Sequence, residues 1–336
     1  MDIKEAIREA IMSAGAEAVG FAKASRIPDA VAQQYESWIG EGRHAGMDYL
    51  RRHAELCIDP RALLEDAATV VSVAFSYVPT RRRDPGLPVV ACYAYGEDYH
   101  DVIRRRLGEA VETMKSRFGG SWRICVDSAP IAERYWAMAA GIGKRGKNGS
   151  IIVKNCGSMC FLAEVLTSHS VAPDEPSSAV CLECGACVRA CPTGALGKDG
   201  LIDSRRCLNY LSIEHRGDWE GEMLEAMQTK EGRATLFGCD ICQNVCPHNI
   251  DIKPTDIEEF HPRERILTLT ASDVIEMDQK EFSSTFKGSP IKRAKLEGLR
   301  RNAHNVPIPS TAGDMPIYPM MPVSPKEGHS SMAELP

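Results

Sequence analysis

Cys181-Leu-Glu-Cys184-Gly-Ala-Cys187-Val-Arg-Ala-Cys191-Pro192 is the stretch on which the reading of this chain turns. A second run follows as Cys239-Asp-Ile-Cys242-Gln-Asn-Val-Cys246-Pro247, with Cys207 upstream of it. Short spacers, then a longer one before Cys-Pro, let thiolates from one tight loop surround a cubane 4Fe–4S cluster. In the two-cluster bacterial pattern the last cysteine of each run ligates the other cluster. The pattern therefore puts Cys181, Cys184, Cys187 and Cys246 on one cluster and Cys191, Cys207, Cys239 and Cys242 on the second. Cys207 supplies, across an insertion, the ligand that the second run lacks nearby. Disulfides would need an oxidising compartment, and zinc takes a single set of four ligands from two spaced pairs. Neither suits a run of four that ends in Cys-Pro, although zinc and redox-active thiols stand as the bland alternatives.

Working outward, 336 residues suggest two domains, and 43% hydrophobic content is ordinary for a chain that buries a real core. The formal net charge of −6 excludes a globally basic surface, so a nucleic-acid partner would need a local patch. No apolar run is long enough to span a bilayer. The N-terminus is a mildly acidic amphipathic helix with Ile3, Ile7 and Ile11 on one face, not a signal peptide, and a cytoplasmic location with no membrane partner is expected. The layout reads as a catalytic domain over residues 1–175, a cysteine domain over 176–250, a short helical basic segment over 251–305 and a disordered tail over 306–336. The linker from Ala172 to Ser178 is rich in Pro and Ser, and the tail is rich in Pro and Met.

The first domain alternates helix and strand. The apolar, β-branched run Ala68–Tyr77, closed by Pro79, predicts a central strand. Tyr99 to Met114 predicts a helix, Arg123–Val126 a strand, and Ser150–Val153 another. Asp127-Ser-Ala-Pro130 looks like a helix start, with a capping side chain and a proline in the first turn, and the helix is expected to run to Gly141. This alternation implies an α/β domain with layered packing.

Gly141-Ile-Gly143-Lys-Arg-Gly146 spells a dinucleotide fingerprint, but it follows a helix and precedes a strand, the reverse of what that site requires. It reads as a glycine-rich loop made cationic by Lys144, Arg145 and Lys147. Such a loop could meet an anion or a polar cofactor edge, or simply face solvent. Asp127, at a strand end beside a helix start, is either a functional carboxylate or a helix cap, and pattern alone leaves both open. Arg134 by itself reads as a surface arginine, and His100 as an ordinary surface or satisfied histidine rather than a ligand or proton carrier. Cys57, Cys92, Cys125, Cys156 and Cys160 read as buried structural thiols, with Cys156 and Cys160 at a spacing that a redox pair could use. Basic clusters at Arg81–Arg83, Arg104–Arg106 and Lys292–Arg301 could together surround an anionic partner such as RNA.

From about Ala16 to Asn305 the chain resembles the epoxyqueuosine reductases, a tRNA-modifying family. The resemblance rests on Gly46-Met-Asp-Tyr-Leu50, Asp59-Pro60, Tyr93-Ala-Tyr-Gly-Glu-Asp-Tyr-His100, Val126-Asp-Ser-Ala-Pro130, Gly146-Lys-Asn148, Gly157-Ser158 and Phe161-Leu-Ala-Glu164. It continues through Cys191-Pro-Thr-Gly-Ala195, Arg206-Cys207 and the second cysteine run. It implies a nitroreductase-like α/β (α+β) cobalamin-binding domain with a ferredoxin-like two-cluster domain packed on it. The implied activity reduces the epoxide of epoxyqueuosine, at the tRNA wobble position, to the alkene of queuosine. Cobalamin and two 4Fe–4S clusters would carry the electrons, and an external low-potential donor would supply them. By match to the family motif, Asp127 would be the proton donor and Arg134 a neighbour of the active site. Corrin contacts would fall on Asp127, Ala129, Pro130, Ile131, Ala132, Ile151, Leu162, Asn209 and Gln243.

That chemistry consumes two electrons and two protons and releases water, and a carboxyl beneath a macrocycle is expected to have a raised pKa and to stay protonated near neutrality. The chain lacks Asp-x-His-x-x-Gly, the motif that gives cobalt a histidine ligand in several cobalamin enzymes. It departs from the family at Cys57 and Cys92, where arginine is usual, at Lys144-Arg145, where Trp-Ile is frequent, and at Asn209, where serine is usual. The C-terminal helical repeats of longer members, which help to hold tRNA, are not expected here. Two other readings remain: a corrinoid reductase of the reductive-dehalogenase type, whose usual twin-arginine signal is not seen in Met1 to Ser25, and a non-catalytic two-cluster electron carrier.

Overall fold

The apolar run at Thr69–Ser76 becomes the innermost strand, with every residue buried. A stretch of Val, Phe and Ala without polar alternation has both faces to cover, and both are covered. The computed structural model describes residues 2–197 and 200–307. Its strands are β1 (Ala18–Lys23), β2 (Thr69–Ser76), β3 (Val89–Val90), β4 (Trp122–Cys125), β5 (Gly143–Arg145), β6 (Ile151–Val153), β7 (Cys160–Thr167) and β8 (Thr235–Phe237). The main sheet runs β1-β2-β7-β4, and all three of its ladders are antiparallel. The helix–strand alternation is thus realised as α+β rather than as crossover units with a parallel sheet.

Period-2 alternation sorts the sheet's side chains to its two sides. Phe21, Val71, Val73, Phe75 and Val165 face the helices Ile3–Ser13 and Tyr99–Phe118. Ile7 and Ile11 of the first helix are fully buried there, as the amphipathic pattern requires. Val70, Ala74 and Leu166 face the other way, toward the helix Glu133–Ala139, whose Trp136 and Ala137 are buried. That helix lies so close to β1 that a Cβ on Gly20 would come within 2.0 Å of the Ala140 carbonyl oxygen. Only glycine lets the two backbones meet.

The long helix starts where the Asp98 side chain accepts from the His100 amide, and stops at Gly119 with φ 68°. Two elements differ from the sequence reading. Asp127-Ser-Ala-Pro130 is not a helix start: the helix begins at Glu133, with Ala132 as its cap and no side chain capping it. The Gly141–Gly146 stretch is not only a loop, because Gly143–Arg145 pairs with Ile151–Val153 as an antiparallel hairpin.

Residues 251–305 wrap back onto the sheet domain. Phe260, Ile266, Leu269, Phe286, Ile291 and Leu299 share one core with Phe21 and Val73. The basic clusters are largely engaged inside the fold. Arg83 is buried against the carbonyls of Pro88 and Leu269, and Arg105 and Arg106 pair with Glu259. Arg293 pairs with Glu214 at 2.6 Å, and Arg301 lies 4.3 Å over the Trp219 ring while bonding the Leu211 carbonyl.

The cysteine domain is fastened to the sheet domain by buried polar contacts. The Ser158 amide donates to Asn249 Oδ1 at 2.7 Å, and Asn249 Nδ2 donates to the Gln243 carbonyl at 2.8 Å. Gly157, at φ 58°, is the close approach that makes this possible, because a Cβ there would sit 2.1 Å from Asn249 Oδ1. The parallel pair β3–β8 adds a second seam. Among the described residues, no helix is long and apolar enough to cross a membrane. The expected disordered tail lies outside the described residues, apart from Val306 and Pro307.

Candidate functional site: two cysteine tetrads and an acid-bearing cleft

Local chain geometry gathers the first tetrad. Gly185, at φ 70°, turns the chain into the short helix Ala186–Ala190, which carries Cys187 inward. Cys187 shares an electrostatic environment with Cys181 and Cys184, and Cys246 with all three. A small cavity opens among these four cysteines, bounded also by Gly146–Asn148, Ile152, Leu182 and Pro247–His248. The second tetrad forms beside it: Cys242 faces Cys207 and Cys191, and Cys239 faces Cys242 and Cys207. The structure thus places Cys246 beside the first run's leading cysteines and Cys191 beside Cys242 of the second. Burial pushes the Cys207, Cys239 and Cys242 thiols up, and neighbouring sulfurs add to it. Four such groups crowded together call for cations to share their charge.

Two further side chains fit a cluster in the first cavity. Asn148 Nδ2 and His248 Nε2 are buried with no hydrogen-bond partner, and both residues line that cavity. Amide and imidazole N–H groups pointing at a cluster's sulfurs would be satisfied, whereas facing an apolar void they would be costly. Among the described residues no three His, Cys, Asp or Glu side chains converge as they would on one metal ion. A cubane asks for a wider ring, because each thiolate binds a different corner.

The cleft lies at the other end of the cysteine domain. β4 pairs only with the Glu164–Thr167 half of β7, so Cys160–Ala163 have their ladder partner on the β2 side. Where β4 stops, the chain swings away through Asp127 in a left-handed backbone, φ 44°. A non-glycine residue there costs about 1 kcal/mol or more, and the Asp127 amide is held in place by donating to Glu133 Oε1 at 2.7 Å.

Cleft side chains come from distant parts of the chain. His100 Nε2 meets Asp127 Oδ2 at 3.0 Å, while its Nδ1 meets Asp98 Oδ1 at 2.7 Å. A ring between two carboxylates is satisfied on both sides only as imidazolium. Burial works to lower the His100 pKa, but the hydrogen bonds and charges of Asp127 and Asp98 outweigh it and push it up to about 9. For Asp127, desolvation works upward, but the His100 hydrogen bond and charge, the Tyr99 hydroxyl and the Arg134 charge hold its carboxyl below the usual range. This corrects the expectation of a raised pKa at Asp127: the proton sits on His100. Glu133 carries the raised value instead, pushed up to about 8 by burial and the Asp127 charge. Tyr99 is held for its contact by stacking on Phe161 at 4.3 Å.

The residues named from the resemblance are distributed around this cleft. Ala129, Ile131 and Ala132 pack with the Glu133–Ala139 helix on one side, and Ile151 and Leu162 share a neighbouring apolar cluster. Pro130 lies in the same half-buried turn as Ala129, and Arg134 is exposed within electrostatic reach of Asp127. Gln243 hydrogen-bonds the Tyr77 hydroxyl at 3.0 Å, and Asn209 Oδ1 accepts from the Cys239 amide at 3.3 Å. Both are next to ligands of the second tetrad or bound to them. The sequence reading weighed His100 and set it aside as an ordinary surface or satisfied histidine, whereas the structure seats it between Asp98 and Asp127; Glu133 was not singled out by pattern.

Fold and site define an iron–sulfur reductase, in which paired clusters adjoin a cleft carrying a histidine–carboxylate acid. Residues 180–249 match the family described as 4Fe-4S double cluster binding domain, and residues 58–128 match Epoxyqueuosine reductase QueG, DUF1730. The chain is 39% identical over 308 residues to an epoxyqueuosine reductase of Cyclobacterium marinum, covering 89% of this chain and 95% of that one. It superposes on an epoxyqueuosine reductase solved with a tRNA-Tyr epoxyqueuosine-modified stem loop, with a TM-score of 0.79, 28% identity, and coverage of 90% and 80%. It also superposes on the Bacillus subtilis enzyme, solved with its catalytic aspartate loop swung out of the active site, at a TM-score of 0.78, 28% identity, and coverage of 90% and 80%. The chain belongs to the epoxyqueuosine reductase family.

Proposed function

We propose that this chain reduces epoxyqueuosine to queuosine at the tRNA wobble position, in the cytoplasm, with Cys181, Cys184, Cys187 and Cys246 holding one 4Fe–4S cluster and Cys191, Cys207, Cys239 and Cys242 the other. The observation that carries the reading is the His100–Asp127 pair, with Tyr93 within electrostatic reach both of Asp127 and of Asp240, which lies between Cys239 and Cys242 of the second tetrad. The cleft fits cobalamin. Leu162 and Cys160 lie on an interior strand yet stay only partly buried, the apolar floor a flat macrocycle would cover. Both His100 nitrogens are already engaged, so that ring is not available to cobalt. Asp127, Ala129, Pro130, Ile131, Ala132, Ile151, Leu162, Asn209 and Gln243 would hold the corrin. When bound, cobalamin supplies a nucleophilic metal centre that gathers electrons delivered singly by the clusters.

The chain's own residues manage protons and position. Opening an epoxide and removing its oxygen as water takes two protons with the two electrons. Asp127 Oδ2 presents the proton it shares with His100 Nε2 to the oxygen that leaves carbon, and Asp98 holds the imidazole so that it can recharge Asp127. Glu133 fixes the strained Asp127 backbone and keeps a second proton close. Tyr49, 36% exposed, sits 5.8 Å from Arg293 and within electrostatic reach of Asp127, which offers a nucleobase an aromatic face beside a cation.

The test is anaerobic turnover of epoxyqueuosine-containing tRNA by the reconstituted protein with cobalamin and a strong reductant, read by nucleoside mass spectrometry. Loss of the epoxide oxygen is expected. An unchanged nucleoside, with both clusters and the corrin demonstrably loaded, overturns the reading.

A further inference from the structure

The two tetrads differ in what surrounds them on the outside. Six large apolar side chains are prominently exposed among the described residues, and three of them ring the first tetrad. Val180 and Leu182 flank Cys181 at 56% and 58% exposure, and Ile250, two residues past His248, is 53% exposed. Cys184 is itself exposed. Leu182 also lines the first cavity, so part of its exposed surface faces the cluster's place, but Val180 and Ile250 are not part of that lining and stand bare beside it.

The rim is cationic. The tip of the β5–β6 hairpin contributes Lys147 to the cavity wall, Lys144 and Arg145 point to opposite faces of β5, and Lys154 is exposed just after β6. Arg189 is exposed and donates to the Cys184 carbonyl at 2.9 Å. Against these cations stand Glu183, which lies 3.7 Å from Lys147, Asp251, and Glu17, within electrostatic reach of Cys156. This local excess is set on a chain of formal charge −6, so it is a patch and not a bulk property.

We propose that this face is the docking site of a small acidic flavoprotein that delivers electrons one at a time to the first cluster. The inference rests on the electron-relay part of the proposed function and not on the identity of the substrate. The apolar centre suits the exposed dimethylbenzene edge of a bound isoalloxazine, and the cationic rim suits the carboxylates that would surround it. Each encounter oxidises the anionic flavin hydroquinone to the neutral semiquinone and reduces the cluster by one electron, with no proton released. Order follows from placement: the second tetrad lies inside, against Asn209 and Gln243, so an electron entering at Cys184 moves inward to the cleft. Steering between an acidic carrier and a cationic rim makes association fast at low salt and slower as salt screens it. The weak apolar centre keeps the complex brief, as a carrier that must leave requires.

The experiment mixes the full-length protein, loaded with both clusters, with flavodoxin hydroquinone in an anaerobic stopped-flow cell, and follows bleaching of the cluster absorbance. No tRNA or cobalamin is present, so the result is independent of epoxide reduction. The second-order rate is expected to fall at least ten-fold between low and physiological ionic strength. It should fall at least ten-fold again in Val180→Asp/Ile250→Asp, and several-fold in Lys154→Glu. Bleaching by photoreduced deazaflavin, a small neutral donor, monitors the integrity of each variant, and the salt series on the unaltered protein needs no variant at all. A rate insensitive to salt, variant rates equal to the unaltered protein, or reduction by a ferredoxin but not by flavodoxin would each overturn the proposal.

Discussion

The two cysteine tetrads share one pattern and live in opposite surroundings. The outer one borders a cavity with exposed aliphatic and cationic neighbours, and Asn148 and His248, which line it, each carry a buried nitrogen without a hydrogen-bond partner. The inner one is built from half-buried thiols, three of them pushed up by desolvation and by neighbouring sulfurs, and its neighbours Asn209 and Gln243 hydrogen-bond the Cys239 amide and the Tyr77 hydroxyl. The contrast teaches that ligand spacing specifies a cluster, whereas direction of flow comes from what the fold wraps around it. An entry point needs exposure and a recognisable edge; a delivery point needs proximity to the acceptor and exclusion of water.

Removing one thiolate should break the comparison most completely. Cys207→Ser is expected to lower iron from about eight to about four atoms per chain, leave the outer cluster's electron-paramagnetic signal, and abolish turnover. Cys246→Ser, although it belongs to the second run, should damage the outer cluster instead; if it spares that cluster, the crossed assignment is wrong. Next in size is Asp127→Asn, which should cut turnover by about 10²- to 10⁴-fold with both clusters intact, measured as single-turnover epoxide loss.

His100→Gln sharpens the cleft side of the contrast. The His100 pKa is raised to about 9, so its proton is held below that value and lost as pH rises through it. Turnover should therefore show an alkaline limb near pH 9 in the unaltered protein. In the variant Asp127 alone must carry the proton, so the limb should move well below neutrality and the rate at pH 8 should fall by at least about ten-fold. The same linkage bears on stability: the imidazolium's contribution is complete below its ordinary pKa and disappears as pH climbs through 9, which chemical denaturation at pH 7 and pH 10 would register.

The smallest effect expected is on potential. Asn148→Ala removes one N–H donor from the outer cavity. One hydrogen bond of about 1 kcal/mol corresponds to about 40 mV for a one-electron couple. Because such donors stabilise the more negative reduced state, the outer cluster's midpoint should fall by that order while the inner one stays put. A redox titration followed by electron-paramagnetic resonance separates the two, and equal shifts in both would remove the distinction drawn between them.

What the sequence makes legible is what depends on short range. Cysteine spacing within twelve residues announces both runs, and the β-branched stretch at Thr69–Ser76 and the helix at Tyr99–Phe118 follow from local composition. Asp127 is visible at a strand end, but the choice between cap and acid needs to know where the next helix begins, and six residues of left-handed and irregular backbone intervene. His100 escapes pattern because its partner is 27 positions away. The basic clusters mislead for the same reason: whether an arginine faces solvent or, like Arg83, a buried carbonyl is a tertiary fact. The strand Cys160–Thr167 carries a buried glutamate, Glu164, in its middle, which disguises an interior strand as something half-polar.

The exchange of closing thiolates between the runs has a consequence for how this molecule fails. With the clusters bound as proposed, each loop would be tied shut by a cubane whose fourth corner belongs to its neighbour's chain segment. Oxygen that strips iron from the solvent-side centre would also release Cys246 and loosen the end of the inner run, so bleaching by air should begin at the outer centre and hasten, without replacing, the loss of the inner one.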